Sequence, residues 1–152
     1  MRPAIFIILA GLLLGTSLYA QEPLDDHSVI LSGSDCQKVF DQMSRRAPKV
    51  QEGVRTPTAE QVKALWKALP AFVAGPPKLL RNPLDGFYRQ YVGFVRGGRR
   101  FIYLNAFFRR SLPLDRYWRE HPVVFGDGGS RYFGVEYDVE KGQLLNFESN
   151  GI

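Results

Sequence analysis

Two strand-like runs meet at a pair of glycines in residues 87–110, which read FYRQYVGFVRGGRRFIYLNAFFRR. Both runs are rich in aromatic and β-branched residues, which favour β-strands. Gly97 and Gly98 between them can adopt the positive backbone dihedrals that a tight hairpin turn requires. The sequence therefore predicts a β-hairpin in which Arg96 lies opposite Arg99.

Both faces of the predicted hairpin are largely apolar. Pairing about the turn places Phe94 opposite Phe101, Val92 opposite Tyr103 and Tyr88 opposite Phe107. The alternate positions are also mostly aromatic or aliphatic, whereas a solvated face would alternate apolar with polar residues. We therefore expect the hairpin to lie in the centre of a sheet that is covered on both faces, with its aromatic residues in the core.

A first helix is predicted to begin at Ser34, where Gln37 can complete a capping box, and to end near Arg45 or Arg46. Cys36 lies on the apolar face of this helix. Because the chain contains one cysteine, an intramolecular disulfide cannot form. We interpret Cys36 as a small buried hydrophobic residue; an intermolecular disulfide or a reactive thiol is the alternative.

A second helix is predicted to begin after Thr58, with Gln61 at the reciprocal position of the capping box. Its apolar stripe consists of Val62, Leu65, Trp66 and Leu69. This spacing is typical of the buried face of a helix, so we expect Trp66 to pack on the sheet. Pro70 is expected to end the helix, because proline lacks the amide hydrogen that the next hydrogen bond needs.

The C-terminal part of the chain predicts three more strands. Residues 122–125 read as a strand, residues 126–130 as a glycine-rich loop, and residues 132–137 and 143–147 as a second hairpin whose turn uses Gly142. Helices followed by such strands are typical of an α+β domain. We predict one or two N-terminal helices packed on an antiparallel sheet of about four to five strands.

Residues 1–20 have the features of a secretory signal peptide, with Arg2 at the start, a short apolar run and Ala20 at the cleavage site. The apolar run is shorter than a membrane span. We therefore expect a periplasmic or secreted protein, cleaved near Ala20, with no transmembrane segment in the mature chain. Residues 21–33 are predicted to be a flexible leader, and residues 34–152 a single domain.

The full chain has a formal net charge of +5. Its basic residues are concentrated in the middle of the chain. Residues 78–119 contain ten lysines and arginines against Asp85 and Asp115, whereas residues 120–152 contain six acids against two cations. The middle segment could bind an acidic envelope protein or another anionic surface. Alternatively, it could pair with the acidic C-terminal hairpin of the same chain.

The basic and aromatic residues after the first hairpin are the best candidates for a binding surface. The candidates after the hairpin are Arg109, Arg110, Arg116, Tyr117, Trp118 and Arg119. Two polar residues of the glycine-rich loop, Asp127 and Ser130, are added to them. Arginine and aromatic side chains are enriched in recognition surfaces. The alternative for Tyr117 and Trp118 is that they close one end of the core, since tryptophan is usually buried.

Catalytic and metal sites have weaker support in the sequence. His121, Asp127 and Ser130 are the residue types of a hydrolytic triad, but Ser130 lacks the glycine-flanked turn that presents such a nucleophile. The loop of residues 126–130 could instead bind an anion through its backbone amides. Two histidines and one cysteine do not make a zinc site, so no metal or cofactor is predicted. Export and the lack of a known motif disfavour nucleic acid as a partner.

Several short motifs resemble a family of small exported bacterial proteins that has no established function. Within residues 84–151 they are YRQYVG at 88–93, GRR at 98–100, IYLNAF at 102–107, WRE at 118–120, DGGS at 127–130, YD at 137–138 and NG at 150–151. Members of that family often carry cysteines after the Asn-Ala-Phe and Gly-Gly-Ser motifs, where this chain has Phe108 and Arg131. The order of elements also resembles PepSY-like and cystatin-like domains, which often bind or inhibit proteins.

The sequence therefore favours a small binding module of the cell envelope that binds or inhibits an envelope protein. One alternative is an envelope hydrolase that uses His121, Asp127 and Ser130. The other is a structural protein that forms a homodimer through its aromatic sheet faces. The lack of a recognisable catalytic motif favours a role other than catalysis.

Overall fold

A computed structural model gives the fold of residues 24–31, 37–38, 40, 45–46, 48–75, 78–111 and 117–151. The predicted signal peptide of residues 1–20, Cys36 and Arg116 lie outside these residues. Within the first predicted helix, residues 37, 38 and 40 are helical, whereas Arg45 and Arg46 are not. The other residues of that helix are also outside the described part of the chain.

The described fold contains one main helix and six strands. In chain order the elements are β1 (Ser28–Ile30), β2 (Val54–Arg55), helix α1 (Ala59–Ala74), β3 (Phe87–Arg96), β4 (Arg99–Phe108), the short helix α2 (Tyr117–Glu120), β5 (Tyr132–Asp138) and β6 (Gln143–Ser149). Short 3₁₀ turns occupy Leu84–Gly86, Arg109–Ser111 and Gly129–Arg131.

The six strands form one sheet in the order β1-β3-β4-β5-β6, and β2 also pairs with β3. Every pairing is antiparallel except that between β1 and β3. The structure therefore confirms an α+β fold with a mostly antiparallel sheet. The described residues form six strands, rather than the expected number of about four to five, and two of them precede the main helix.

The central hairpin has the predicted register. Strands β3 and β4 pair along their whole length, with Arg96 opposite Arg99 beside the turn. Gly97 and Gly98 have φ values of 58° and 68°, which glycine adopts without the steric cost that a β-carbon brings. Local turn chemistry and strand propensity therefore agree with the tertiary structure in this part of the chain.

Helix α1 begins where predicted but ends later. Thr58 Oγ1 accepts a hydrogen bond from the Gln61 amide (3.3 Å), and the Gln61 side chain accepts one from the Thr58 amide (3.2 Å). The prediction that Pro70 ends the helix is wrong, because α1 continues to Ala74. Pro70 lies on the exposed side, and the additional turn buries Val73 in the core. This burial compensates for the hydrogen bond that the proline cannot donate.

The segment that we expected to be a flexible leader contains strand β1 instead. The Arg89 amide donates to His27 O (2.8 Å), and the Leu31 amide donates to Tyr91 O (3.0 Å). These bonds dock the described residues of the segment along the edge of β3. A strand of three residues is too short to show a recognisable alternation in the sequence. Strand β2, in a stretch that shows no strand pattern, was missed for the same reason.

The sheet is covered on both faces, as predicted. Helix α1 packs on one face and forms the main core with sheet residues such as Phe87, Tyr91, Ile102, Leu104, Phe133 and Val135. Trp66 packs against this cluster as a partly buried residue. On the opposite face, Phe40 packs on Phe94, Phe101 and Tyr103, while Trp118 and Val123 pack on Phe107 and Tyr132.

Three arginines beside the central turn pair with acids of the C-terminal hairpin. The ion pairs are Arg96–Glu136, Arg99–Asp138 and Arg100–Glu140, each with a nitrogen–oxygen distance of 2.6 Å. Hydrogen bonds from Arg100 lower the pKa of Glu140 below its ordinary value. For this part of the basic segment, the structure confirms the alternative of internal pairing.

Strand β6 forms one edge of the sheet and contains a bulge. Its register with β5 shifts between Gly134 and Glu136. Asn146, in the corresponding part of β6, has a φ of 52°, a left-handed conformation that asparagine tolerates better than most residues. A bulge of this kind bends the strand and interrupts its hydrogen-bond ladder.

A buried arginine of β3 joins the residues before β1 to helix α1. Arg89 is 3% exposed, and its Nη2 lies 2.6 Å from each carboxylate oxygen of Asp25. The guanidinium carbon lies 3.9 Å from the centre of the Trp66 ring. Burial by itself raises the pKa of Asp25, but Arg89 and hydrogen bonds from the His27 amide and Ser28 outweigh it and lower this pKa.

Replacement of Asp25 by asparagine tests this ion pair. Because the folded-state pKa of Asp25 is depressed, its contribution is present above the unfolded value of 3.8 and is lost as pH falls through the folded value. The carboxylate is 54% exposed, so we expect the wild type to lose more unfolding free energy than Asp25→Asn by about 1 kcal/mol or less.

Urea unfolding of both proteins at about pH 6 and about pH 3 measures this difference, since the contribution of Asp25 is complete at the higher pH and begins to be lost below the unfolded pKa of 3.8. Equal losses in the two proteins would contradict the proposed contribution of Asp25. Asp26→Asn is the matched control, because it removes a neighbouring carboxylate that has no ion pair among the described residues.

Candidate anion-binding groove

A buried polar pair interrupts the aromatic ladder of the central hairpin. Gln90 and Asn105 lie opposite each other in β3 and β4 and are 0% and 3% exposed. Gln90 Nε2 donates to the carbonyl oxygens of Trp118 and His121, each at 2.6 Å. Gln90 Oε1 accepts from the Val123 amide at 3.0 Å. This one side chain therefore holds the segment after α2 against the sheet.

Asn105 completes the attachment of that segment. Its Nδ2 donates to Gln90 Oε1 (3.0 Å) and to the carbonyl oxygen of Val123 (2.8 Å). Residues 122–125 were predicted to be a strand, and the structure shows that this prediction is wrong. Two side-chain amides satisfy the buried Val123 backbone in place of a neighbouring strand, so the segment lies outside the sheet.

Arg45 is buried on the same face of the sheet, with 9% of its surface exposed. Its Nε donates to Tyr103 Oη at 2.7 Å, and its two Nη groups donate to the side-chain oxygens of Asn105 and Asn150. Burial raises the pKa of Tyr103, so the phenol keeps its proton and all three acceptors are neutral. Together they stabilise a charge that would be costly to bury without hydrogen bonds.

The position of Tyr103 and Arg45 depends on a glycine in β5. A β-carbon at Gly134 would lie 1.8 Å from Tyr103 Oη and 2.8 Å from Arg45 Nε. Both separations are well below the van der Waals optimum of about 3.5 to 4.0 Å. The lack of a side chain at Gly134 therefore leaves room for the Tyr103 hydroxyl and the Arg45 guanidinium beside β5.

Asn150 connects Arg45 to the glycine-rich loop of residues 126–130. Its Oδ1 accepts from Arg45, and its Nδ2 donates to the carbonyl oxygens of Phe125 (2.8 Å) and Asp127 (3.0 Å). Asn150 is 3% exposed; its bond with Arg45 is buried, and its two bonds to the loop are partly buried. The same buried side chain thus fixes both the end of the sheet and the start of the loop.

The loop itself has a glycine-dependent backbone. Gly128 has a φ of 97°, and a β-carbon there would lie 2.3 Å from the Tyr132 ring. The Gly129 amide donates to the carbonyl oxygen of Gly151 at 3.0 Å. That amide is therefore unavailable to an anion, so the predicted binding through backbone amides has no support at Gly129.

Two adjoining cavities beside this loop form what we call the basic groove. The larger cavity, of about 750 Å³, is lined by Arg81, Asn82, Ser149, Asn150 and residues 127–131. The smaller cavity, of about 640 Å³, is lined by Asn82, Pro83, Asp85, Gly86, Phe108, Arg109 and Arg110. Asn82 contributes to both cavities, so they meet at this residue.

Positive charge predominates in the basic groove. Its ionisable residues are Arg81, Arg109, Arg110, Arg131, Asp85 and Asp127. Arg81, Arg110 and Arg131 are exposed, and none of them forms an ion pair with a carboxylate of the described residues. These three arginines differ in this respect from those of the central turn, which are paired within the protein.

The structure places four of the predicted binding residues in this groove, namely Arg109, Arg110, Asp127 and Ser130. Trp118 is only 3% exposed, and its ring centre lies 4.5 Å from that of Tyr88. For Trp118, the alternative in which it closes the core is therefore confirmed.

Two further predicted residues belong to α2 and are at least partly exposed. Tyr117 is 59% exposed, with its ring centre 4.4 Å from that of His121. The Arg119 guanidinium lies over the Trp118 ring at 4.6 Å, and it donates to the carbonyl oxygen of Asp26. Neither Tyr117 nor Arg119 lines the basic groove.

The predicted hydrolytic residues are not assembled into a triad. Asp127 and Ser130 line the larger cavity, whereas His121 does not. The His121 ring lies against Tyr117 instead. A nucleophile needs its base within hydrogen-bond reach, and no hydrogen bond joins the described side chains of His121, Asp127 and Ser130.

The residues that hold the groove in place were not predicted from the sequence. They are Arg45, Gln90, Asn105 and Asn150, together with the groove residues Arg81 and Arg131. A signal was present for Gln90 and Asn105, because a polar pair stands directly between apolar cross-strand pairs in a hairpin predicted to be buried. For Arg45 and Asn150, the sequence pattern shows no comparable signal.

Replacement of Asn150 by alanine is expected to loosen the glycine-rich loop. The variant leaves an Arg45 nitrogen and two backbone carbonyls without their partner, so we expect a loss of about 2 to 4 kcal/mol in unfolding free energy. Hydrogen exchange of residues 126–131 should accelerate more than that of β3 and β4. Ser149→Ala, at an exposed neighbour, should change neither quantity, and the same behaviour in both variants would contradict the role of Asn150.

Replacement of Gly134 by alanine is expected to displace Tyr103 or Arg45. Overpacking of a buried site costs about 1 to 3 kcal/mol and sometimes more, and the lost Arg45 hydrogen bonds add to that cost. Gly126→Ala is the matched control, since a β-carbon there would have no atom within 4 Å and the φ of Gly126 is not positive. Thermal unfolding monitored by circular dichroism should separate the two variants; equal stability would contradict the close packing at Gly134.

No group of three or more histidine, cysteine, aspartate or glutamate residues is placed to hold a metal ion in the described part of the chain. None of the described helices is long and apolar enough to cross a membrane. No family model, no curated protein and no solved structure matches this chain. The interpretation of the basic groove therefore depends on its own geometry and charge.

Proposed function

We propose that this protein is a small exported binding module that takes up an acidic segment of an envelope protein in the basic groove. The observation that carries this proposal is the set of exposed arginines, Arg81, Arg110 and Arg131, without carboxylate partners among the described residues. Such residues attract anionic partners over a distance of about one Debye length.

The contrast with the rest of the basic segment supports this interpretation. Arg96, Arg99 and Arg100 are each paired with an acid of the C-terminal hairpin. Internal pairing thus involves these three cations of residues 78–119, whereas Arg81, Arg109 and Arg110 of the same segment line the groove. Charge of this kind contributes mainly to the rate and specificity of association.

The shape of the groove favours an extended chain over a single small ion. The two cavities have volumes of about 750 and 640 Å³, and each is of the size of a typical ligand site. Asn82 at their junction can both donate and accept hydrogen bonds, as a peptide backbone requires. Asp85 and Asp127 would disfavour acidic side chains at two places and so help to select a particular spacing of charges.

The groove is also held in advance of binding. Asn150 fixes the glycine-rich loop through two partly buried hydrogen bonds, and Gly86 approaches the ring of Phe108 so closely that a β-carbon would lie 2.6 Å from it. A site that is already ordered loses less conformational entropy when a ligand binds. This rigidity suits a binding or inhibitory module, which needs affinity rather than turnover.

The alternatives have less support. The hydrolase would need His121 beside Ser130, and His121 does not line the cavity that contains Ser130. A homodimer through aromatic sheet faces would need those faces exposed, whereas the described aromatic residues of β3 and β4 are buried or partly buried in the monomer. Export is a prediction from the signal-peptide features of residues 1–20. The resemblance to small exported bacterial proteins is also a prediction from the sequence.

A fluorescent poly-aspartate peptide of about ten residues, which spans about 33 Å when extended, tests the proposed function. The variant Arg81→Gln/Arg110→Gln/Arg131→Gln removes the three unpaired charges from exposed positions. We expect it to bind at least about tenfold more weakly than wild type in about 0.05 M salt, as measured by fluorescence anisotropy. Wild-type binding should weaken strongly in about 1 M salt.

Lys67→Gln is the control, because Lys67 is an exposed cation of α1 that lines neither cavity. A poly-asparagine peptide of the same length controls for interactions that do not need charge. Equal peptide affinity of the triple variant and wild type would refute the basic groove as the binding site. Circular dichroism should show that all variants are folded.

A further inference from the structure

A contact between His27 and Arg109 connects the smaller cavity of the groove to the edge of the sheet. Arg109 Nη1 lies 2.6 Å from His27 Nε2. A guanidinium can only donate hydrogen bonds, so Nε2 must be the acceptor. His27 is therefore neutral in this arrangement, with its proton on Nδ1.

Arg109 has few other bonds to hold it in this position. Within the described residues, its buried Nε has no hydrogen-bond partner. The residue also lines the smaller cavity together with Arg110 and Asp85. The side chain of Arg109 thus lies between the imidazole of His27 and the space that a ligand would occupy.

We propose that protonation of His27 releases Arg109 toward the smaller cavity and thereby strengthens the binding of anions in the basic groove. This inference rests on the proposed function. A protonated imidazole carries only donors, so the hydrogen bond at Nε2 is lost and two cations then face each other. Movement of Arg109 away from His27 relieves their repulsion and brings the guanidinium closer to an anionic ligand.

Several other titratable or charged groups surround His27. They are Asp25 and Asp26 on its own segment, Tyr88 and Arg89 on β3, Arg109 after β4, and Arg119 on α2. The pKa of Asp25 is lowered, as described above, and arginine does not lose its proton in proteins. Among the side-chain types in this cluster, imidazole is the one whose charge generally changes near neutral pH.

Proton uptake and ligand binding are consequently linked. A ligand that draws Arg109 into the cavity favours protonation of His27, and protonation of His27 favours the ligand by the same factor. The gain should be moderate, because one added charge near water is partly screened. We expect the affinity to rise by about threefold to tenfold between about pH 7.5 and about pH 5.5.

The experiment compares wild type with His27→Gln and His121→Gln. The chain contains two histidines, so the second variant is a matched control that leaves His27 intact. The probe is the poly-aspartate peptide, whose carboxylates stay ionised above about pH 5.5. Wild type and His121→Gln should bind it more tightly at the lower pH, whereas His27→Gln, which carries a neutral amide at all these pH values, should not.

The outcomes separate this inference from the proposed function. Binding that is independent of pH in wild type, or pH dependence that persists in His27→Gln, would overturn the role of His27 and leave the basic groove standing. A failure of wild type to bind the peptide at any pH would instead refute the proposed function.

A second measurement tests the movement of Arg109 without any ligand. The backbone amides of Gly86 and Arg110, which border the smaller cavity, can be followed by NMR during a pH titration. Their chemical shifts should change with the same midpoint as the His27 ring in wild type and in His121→Gln. Flat shifts in wild type, or unchanged titration curves in His27→Gln, would contradict the release of Arg109.

Discussion

A guanidinium that is removed from water needs several hydrogen bonds, because its hydration is lost and its charge remains. Arg45 obtains them from Tyr103 and Asn105 on β4 and from Asn150 after β6, all of which are far from Arg45 in the sequence. Asn105 also joins Gln90, and Asn150 also joins the glycine-rich loop. One buried cation thus connects the side chains that hold the segment after α2 to the side chain that holds the loop beside the groove.

The two faces of the sheet consequently differ in how they are stabilised. The face under α1 is held mainly by apolar contacts, which tolerate exchange between residues of similar volume. The opposite face contains a connected network of polar side chains around Arg45. Removal of one of these side chains leaves hydrogen-bonding groups of the others without a partner. Apolar packing therefore supplies most of the stability, whereas the polar network determines where the groove residues lie relative to one another.

Local sequence patterns predicted the elements that local chemistry determines. The Gly97–Gly98 turn, the Thr58 capping box and the positive φ of Gly142, at 64°, all follow from residues close together in the chain. The later end of α1, strand β1 and the path of residues 122–125 depend on contacts between distant segments, which propensity does not contain. The groove residues were predicted only in part, since Arg81 and Arg131 line the same cavity but belong to distant parts of the sequence that share no motif.

The edges of the sheet restrict how a partner protein can bind. Proteins that recognise extended peptides often add them as a further strand, through the backbone hydrogen bonds of an open edge. Among the described residues, one edge consists of two strands of three and two residues, and the other is interrupted by the bulge at Asn146. Neither offers a long, regular ladder, so the partner that we propose would be recognised through side chains, and self-association through these edges is disfavoured as well.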